Sequence, residues 1–205
     1  QDAAYATRYT ALLLKVREAE QRVAPGRDSL ARAVAVNLFK LMAIKDEYEV
    51  ARLFTDGSFA RQLGREFAAW GAIDYHLAPP LLARTDPATG RPAKRRYGPW
   101  LRPVLRGLAR MRRHRNTILD PFRYSADRKL ERRLLADYEE TVELILADLR
   151  PDNHHAAAAL ARYPETIRGY GPVKVETATR AVAIATEREE AFRALAPPAL
   201  AEAAE

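Results

Sequence analysis

The sequence predicts a mainly α fold, a helical bundle of about seven helices with a small β-hairpin inserted at about residues 73–97. Three observations predict it. Apolar residues recur at three- and four-residue steps over most of the chain, which places them on single helix faces. One short stretch, Ile73-Asp74-Tyr75-His76-Leu77, alternates instead, the period of a strand. Proline and glycine fall mostly between the periodic runs, where they end one element and open the next.

At 205 residues the chain is expected to form a single helical domain over residues 1–196, with a frayed tail at 197–205. It opens on Gln1 rather than Met, so it is expected to be a piece of a longer protein. Composition, 48% hydrophobic and 30% charged, is that of an ordinary globular chain. There is no cysteine. That excludes disulfides, thiolate zinc sites, cysteine-held clusters and a cysteine nucleophile within this segment. No apolar run approaches the roughly 18 residues that span a bilayer, and Leu12-Leu13-Leu14 is too short for a signal-peptide core. The expectation is a cytoplasmic chain with no membrane partner.

In order, Tyr9, Leu12, Val16, Ala19 and Val23 predict a first helix over residues 3–23, ended by Pro25-Gly26. Asp28 or Ser29 is placed to cap a second helix, with Leu30, Val34, Leu38 and Leu41 on its inner face, running on through Tyr48 to Leu53. Lys45 and Glu49 stand at i,i+4 within it. Asp56-Gly57-Ser58 breaks that helix and caps another, to about Trp70. After the strand, Asp86-Pro87-Ala88-Thr89-Gly90 has turn residues where a tight turn wants them, so residues 76–84 and 91–97 form the two arms of the hairpin. Pro99 suits the first turn of a helix running to about Arg113, with Leu101, Leu105, Leu108 and Met111 (or Arg112) inward. Residues 115–124 read as a loop and Ser125 as the cap of a long helix over 126–149, striped by Leu130, Leu134, Tyr138, Val142, Ile145 and Leu149. A short helix over 153–162 follows, stopped by Pro164; residues 167–175 read as extended or looped; a last helix covers 177–195.

Charge is distributed unevenly. The chain carries a formal +7, but Arg91, Lys94, Arg95, Arg96, Arg102, Arg106, Arg110, Arg112, Arg113 and Arg115 supply ten of its cations, so the remainder sums to 7 − 10 = −3. No Asp or Glu occurs from Pro87 through Leu119. A mildly acidic helical body therefore carries one basic band. Arg91, Lys94, Arg95, Arg96, Trp100, Arg102, Arg106 and Arg110 are the candidate binding residues. The band could hold nucleic acid, with Tyr97 and Trp100 as stacking platforms. It could hold the phosphates of coenzyme A or another anion. It could also dock an acidic protein surface. The plain alternative is a solvated face partly paired by Glu131, Asp137 and Glu139. No Gly-Lys-Ser/Thr and no helix-turn-helix or RNA-recognition signature accompanies it, which counts against nucleic acid.

Other chemistry is sparse. His76 is the one weak catalytic candidate, as a proton carrier ahead of Leu77-Ala78-Pro79-Pro80. The competing reading is a strand histidine in a structural corner. No second ligand stands at a metal-binding spacing from it. His154 and His155, as helix neighbours, do not share a face and are expected to be solvated. Asp46, Glu47 and Glu49 could form a carboxylate cluster, or a solvated helix face with one buried carboxylate pairing an arginine of the band. Gly169-Tyr170-Gly171 lacks the third glycine of a dinucleotide loop and reads as a turn needing positive φ.

Residues 45–53 (KDEYEVARL), residues 76–100 (HLAPPLLARTDPATGRPAKRRYGPW), residues 119–122 (LDPF) with 131–134 (ERRL), and residues 167–171 (IRGYG) with Val173-Lys174 together resemble the C-terminal helical domain of the bacterial indolepyruvate ferredoxin oxidoreductase family. The resemblance covers roughly residues 5–175. It implies a parent 2-oxoacid:ferredoxin oxidoreductase that oxidatively decarboxylates arylpyruvates with thiamine diphosphate, iron–sulfur clusters and coenzyme A. It implies for this segment an accessory, non-catalytic role, with the remaining domains or subunits of the parent enzyme, ferredoxin or coenzyme A as partners. No Gly-Asp-Gly thiamine motif occurs here, and no cofactor or metal is expected in this segment. The chain departs from the family pattern at Asn116 and Arg123, where glycines are expected, and at Pro172, where a histidine is expected. The alternative reading is a stand-alone nucleic-acid- or anion-binding helical module.

Overall fold

The structure is a computed structural model and describes residues 3–44, 46–69, 71–79, 93–115 and 117–195. It is mainly α with one small antiparallel sheet, as the periodicities predict. Among the described residues there are eight α-helices: α1 (Ala3–Val23), α2 (Ser29–Met42), α3 (Glu47–Thr55), α4 (Ser58–Glu66), α5 (Leu101–Arg110), α6 (Ala126–Asp148), α7 (His154–Leu160) and α8 (Pro172–Ala194). Strands β1 (Tyr75–Leu77) and β2 (Arg95–Tyr97) pair antiparallel, with Tyr75 opposite Tyr97, His76 opposite Arg96 and Leu77 opposite Arg95. The predicted turn at residues 86–90, Arg91 and the Lys45–Glu49 pair lie outside the described residues. The chain divides into two compact units, Gln1–Ile44 with Leu130–Glu205, and Lys45–Lys129.

The first unit is a helical core. Leu12 and Val16 of α1, Leu30, Val34 and Leu38 of α2, and Leu134, Tyr138, Val142 and Ile145 of α6 are buried together. These are the stripes that the 3.6-residue period marks. Alanines 157, 158 and 161 are buried beside them, where small side chains let helices approach closely. Tyr138 donates to the Ala161 carbonyl at 2.9 Å and stands edge-on to Tyr163 at 5.6 Å. Burial holds Tyr138 neutral well above the usual phenol range and pushes Tyr163 up to about 12. α8 opens at Pro172, five residues before the predicted start. Proline at the first helical position has no N–H to leave unsatisfied. Gly169 and Gly171 adopt φ of +80° and +55°, the positive-φ turn expected of them.

Several predicted boundaries shift at and within the second unit. The helix drawn from residue 29 through Leu53 is two helices, separated at Ala43 and Ile44. Asp46 is extended and its Oδ1 accepts the Glu49 amide at 2.7 Å, a side-chain cap that starts α3 afresh. α4 stops at Glu66 rather than Trp70, because Phe67 is extended. At its other end Gly57 takes φ +87° and Asp56 accepts from the Ser58 amide at 2.9 Å, the predicted break and restart. A small core gathers Ala51, Tyr75, Leu101 and Leu105, with Phe54, Ile73, Leu77, Tyr97, Leu108 and Ala109 packed on it. Phe54 meets both Phe59 and Tyr75 edge-on at 5.2 Å. β1 starts at Tyr75 rather than Ile73. α5 gives way after Arg110 to a 3-10 turn over Met111–His114, which leaves Met111 39% exposed rather than inward.

Candidate site on helix α5 and the hairpin

The basic band is built on two elements of the second unit, β2 and α5. α5 is divided by its own periodicity into four rows at i,i+4. Leu101, Leu105 and Ala109 face the core. Arg102, Arg106 and Arg110 form the next row, all exposed. Pro103, Gly107 and Met111 follow, and Trp100, Val104 and Leu108 form the fourth. Trp100 is 62% exposed and Val104 55%. Pro103 stands in the first turn, where no intrahelical N–H is required of it.

Of the predicted binding residues, Arg96 is self-paired. Its Nε donates to Asp74 Oδ2 at 2.8 Å and its Nη2 lies 2.5 Å from the same oxygen. Lys94, Arg95, Arg102, Arg106 and Arg110 are exposed and make no ion pair among the described residues. The acids expected to neutralise them are engaged elsewhere. Glu131 accepts Lys174 at 2.7 Å, Asp137 stands 3.6 Å from Arg133, and Glu139 pairs with Arg8. The band is thus partly self-paired, through Asp74 and Asp46 rather than the expected Glu131, Asp137 and Glu139, which pair with cations of their own unit. Trp100 meets Tyr97 edge-on at 6.0 Å, so the two aromatics expected as platforms do adjoin.

Beside the fourth row of α5 lies an open groove of about 440 Å³. Leu77, Pro79, Tyr97, Leu101, Leu105 and Phe122 line its floor and far wall, with Trp100, Val104 and Leu108 along the near edge. Asp46 and Glu47 also line it. Both carboxylates are already satisfied. Arg115 donates to Asp46 Oδ1 at 3.0 Å, and its Nε lies 2.5 Å from Oδ2. Arg128 donates to Glu47 at 2.8 Å. Glu49 is held below the usual carboxylate range by hydrogen bonds from Arg52. The carboxylate cluster is thus a set of ion pairs, with one buried acid, Asp46, paired to an arginine of the band. Behind it the Tyr48 hydroxyl donates to Asp120 Oδ1 at 2.8 Å, with Phe122 edge-on at 5.4 Å. Burial, then the Asp120 bond, raises the Tyr48 phenol above its ordinary value.

His76 sits on β1 as an exposed strand residue opposite Arg96. Strand alternation puts it on the other side of the sheet from Tyr75 and Leu77, away from the groove. Among the described residues no group of three or more His, Asp or Glu is placed to hold a metal ion. No described helix is long and apolar enough to cross a membrane.

A polar site that sequence reasoning missed lies in the first unit. His154 is 2% exposed and Glu20 1%, against the solvated pair expected at residues 154 and 155. Only His155 is exposed. His154 Nε2 lies 2.7 Å from Glu20 Oε1. Glu20 also accepts the Leu30 and Ala31 amides, each at 2.8 Å. It therefore caps α2 from across the core, while Asp28, the expected cap, pairs with Arg32 at 2.7 Å. The only sequence signal was Glu20 itself, an acid in step with the buried positions Val16 and Ala19.

The model of one family, described as a family of unknown function (DUF6537), matches residues 1–187. No curated protein and no solved structure matches the chain.

Proposed function

We propose that this chain, which belongs to the DUF6537 family of unknown function, is an accessory, non-catalytic helical domain of a bacterial, cytoplasmic 2-oxoacid:ferredoxin oxidoreductase of the indolepyruvate type. Its basic band docks the domain on the remaining parts of that enzyme or on an acidic redox partner such as a ferredoxin. Thiamine diphosphate and the iron–sulfur clusters belong to those other parts. The observation that carries the reading is the row Arg102, Arg106 and Arg110, exposed and without a counter-ion among the described residues. Such a row favours encounter with an acidic surface and fixes its register. The sequence blocks at residues 45–53 and 76–100 supply the identity of the partner.

The adjoining Tyr97 and Trp100 favour a second reading, a stand-alone module that stacks bases or binds phosphates. One titration separates the two. The labelled chain is titrated with the thiamine-binding portion of an indolepyruvate ferredoxin oxidoreductase, and in parallel with generic single-stranded DNA over a salt series. Saturable association with the enzyme portion supports the docking role. A steep salt slope on DNA with no association to the enzyme portion overturns it.

A further inference from the structure

We infer that the exposed side of α5 is a docking seat for a partner helix that carries an acidic row beside an apolar row. The inference deepens the docking role proposed above by naming the element that α5 receives. It rests on how three rows of α5 stand relative to one another.

The cationic row of Arg102, Arg106 and Arg110 runs along one shoulder of the helix. The apolar row of Trp100, Val104 and Leu108 runs along the other and opens into the groove of about 440 Å³. Between them the crown of the helix is low, because it is made of Pro103 and Gly107. Gly107 is the telling residue. Mid-helix glycine is unfavourable relative to alanine, so a close neighbour would ordinarily account for it. A Cβ added at Gly107 meets nothing within 4 Å. Nothing among the described residues therefore uses the space that this glycine leaves free. Gly64 of α4 is equally open and also lies between an apolar row, Phe59 and Leu63, and a cationic one, Arg61 and Arg65, so the glycine alone does not single out α5; the larger apolar groove beside α5 does.

The three rows dictate the occupant. Carboxylates fit the guanidinium row. A large apolar side chain fits the groove between Val104, Leu108 and the wall of Leu77, Pro79 and Phe122. The missing side chain at Gly107 lets a second backbone approach α5, as small residues do at helix crossings. An amphipathic helix with acidic and apolar residues on adjacent faces satisfies all three. A bilayer surface does not, because it presents no ridge of apolar side chains that would enter the groove. A nucleic-acid strand brings phosphates for the guanidinium row but no aliphatic ridge for the apolar groove.

The test uses the full chain and a synthetic helical peptide of about five turns, with Glu at every fourth position of one face and Leu on the adjacent face. Its controls are the same peptide with Lys for Glu, and vesicles of phosphatidylserine. Binding is read by fluorescence anisotropy. The expected result is saturable binding of the Glu/Leu peptide only. Gly107→Leu should abolish it while thermal stability stays equal or rises, since a Cβ there meets nothing among the described residues and leucine favours the helix over glycine. Arg106→Glu with Arg110→Glu should weaken it at least tenfold. No binding of the Glu/Leu peptide overturns the inference. So does binding that Gly107→Leu leaves unchanged, or binding to vesicles in place of the peptide. The outcomes also separate the two levels of the reading. Association with the thiamine-binding portion that is insensitive to Gly107→Leu leaves the docking role standing and removes the helix seat. Gly107-sensitive peptide binding without association with that portion does the reverse.

Discussion

Glu20→Ala should be among the most damaging single substitutions in the first unit. The carboxylate is buried and accepts two backbone amides at 2.8 Å and the His154 ring at 2.7 Å. Alanine leaves the first turn of α2 without its anion and leaves His154 buried without a partner. Losing a helix cap costs about 1 kcal/mol, and stranding a buried polar group costs about 1–3 kcal/mol. Breaking a buried charged network reaches about 3–5 kcal/mol, so about 4 kcal/mol is expected in total. For a chain of this size each kcal/mol moves Tm by about 2–4 °C, so the transition of the first unit should fall by about 12 °C. Glu20→Gln should cost about half as much, since one amide can still be accepted while the new NH₂ faces a donor. The assay is urea unfolding together with hydrogen exchange at the Leu30 and Ala31 amides. Those two amides should lose protection in Glu20→Ala beyond the global change. A loss under 1 kcal/mol with Leu30 and Ala31 still protected would refute the cross-core cap.

In the second unit, Tyr48→Phe should destabilise by about 1–2 kcal/mol, because it removes a buried hydrogen bond to the Asp120 carboxylate; denaturant midpoints check it. The same tyrosine sets an alkaline limit. Its phenol is raised in the folded state, so its contribution is complete below the ordinary value near 10 and declines as pH climbs above that; Tyr48→Phe should flatten the alkaline side of a stability–pH curve. Glu49 works in the opposite sense. Its depressed carboxyl contributes above the ordinary value near 4 and loses that contribution as pH falls through its folded-state value, so Arg52→Ala should shrink the acid-side slope. Gly169→Ala should cost about 1–3 kcal/mol, since φ is +80° and the new Cβ would stand 2.7 Å from Val173 Cγ1; calorimetry of the variant checks it.

What was legible in the sequence followed from local periodicity. α1 and α6 could be drawn almost to the residue, because Leu12 and Val16, or Leu134, Tyr138, Val142 and Ile145, repeat at helical spacing without interruption. The hairpin was legible because Tyr75, His76 and Leu77 break that spacing. Misplaced boundaries had local causes. Tyr48 continues the apolar rhythm of α2, and nothing in the rhythm says that Asp46 turns its carboxylate onto the Glu49 amide. The start of α8 had a signal, Gly171-Pro172, that the glycine-rich turn obscured. The buried Glu20–His154 pair had no local signal beyond the place of Glu20 in step with Val16 and Ala19. Its members lie 134 residues apart, and only the tertiary packing of α1 against α2 and α7 brings them together. The candidate site was legible in half. The cations of α5 are visible as a run without acids, whereas the groove depends on β1, α3 and Phe122 converging beside Trp100 and Val104.

The most direct test of the docking role is calorimetric titration of the thiamine-binding portion of an indolepyruvate ferredoxin oxidoreductase with this chain and with its Arg102→Glu, Arg106→Glu, Arg110→Glu variant. The account predicts saturable association by the native chain and at least a tenfold loss in the variant, about 1.4 kcal/mol or more, with an unchanged melting temperature. Equal affinity for both chains, or no association by either, would contradict it.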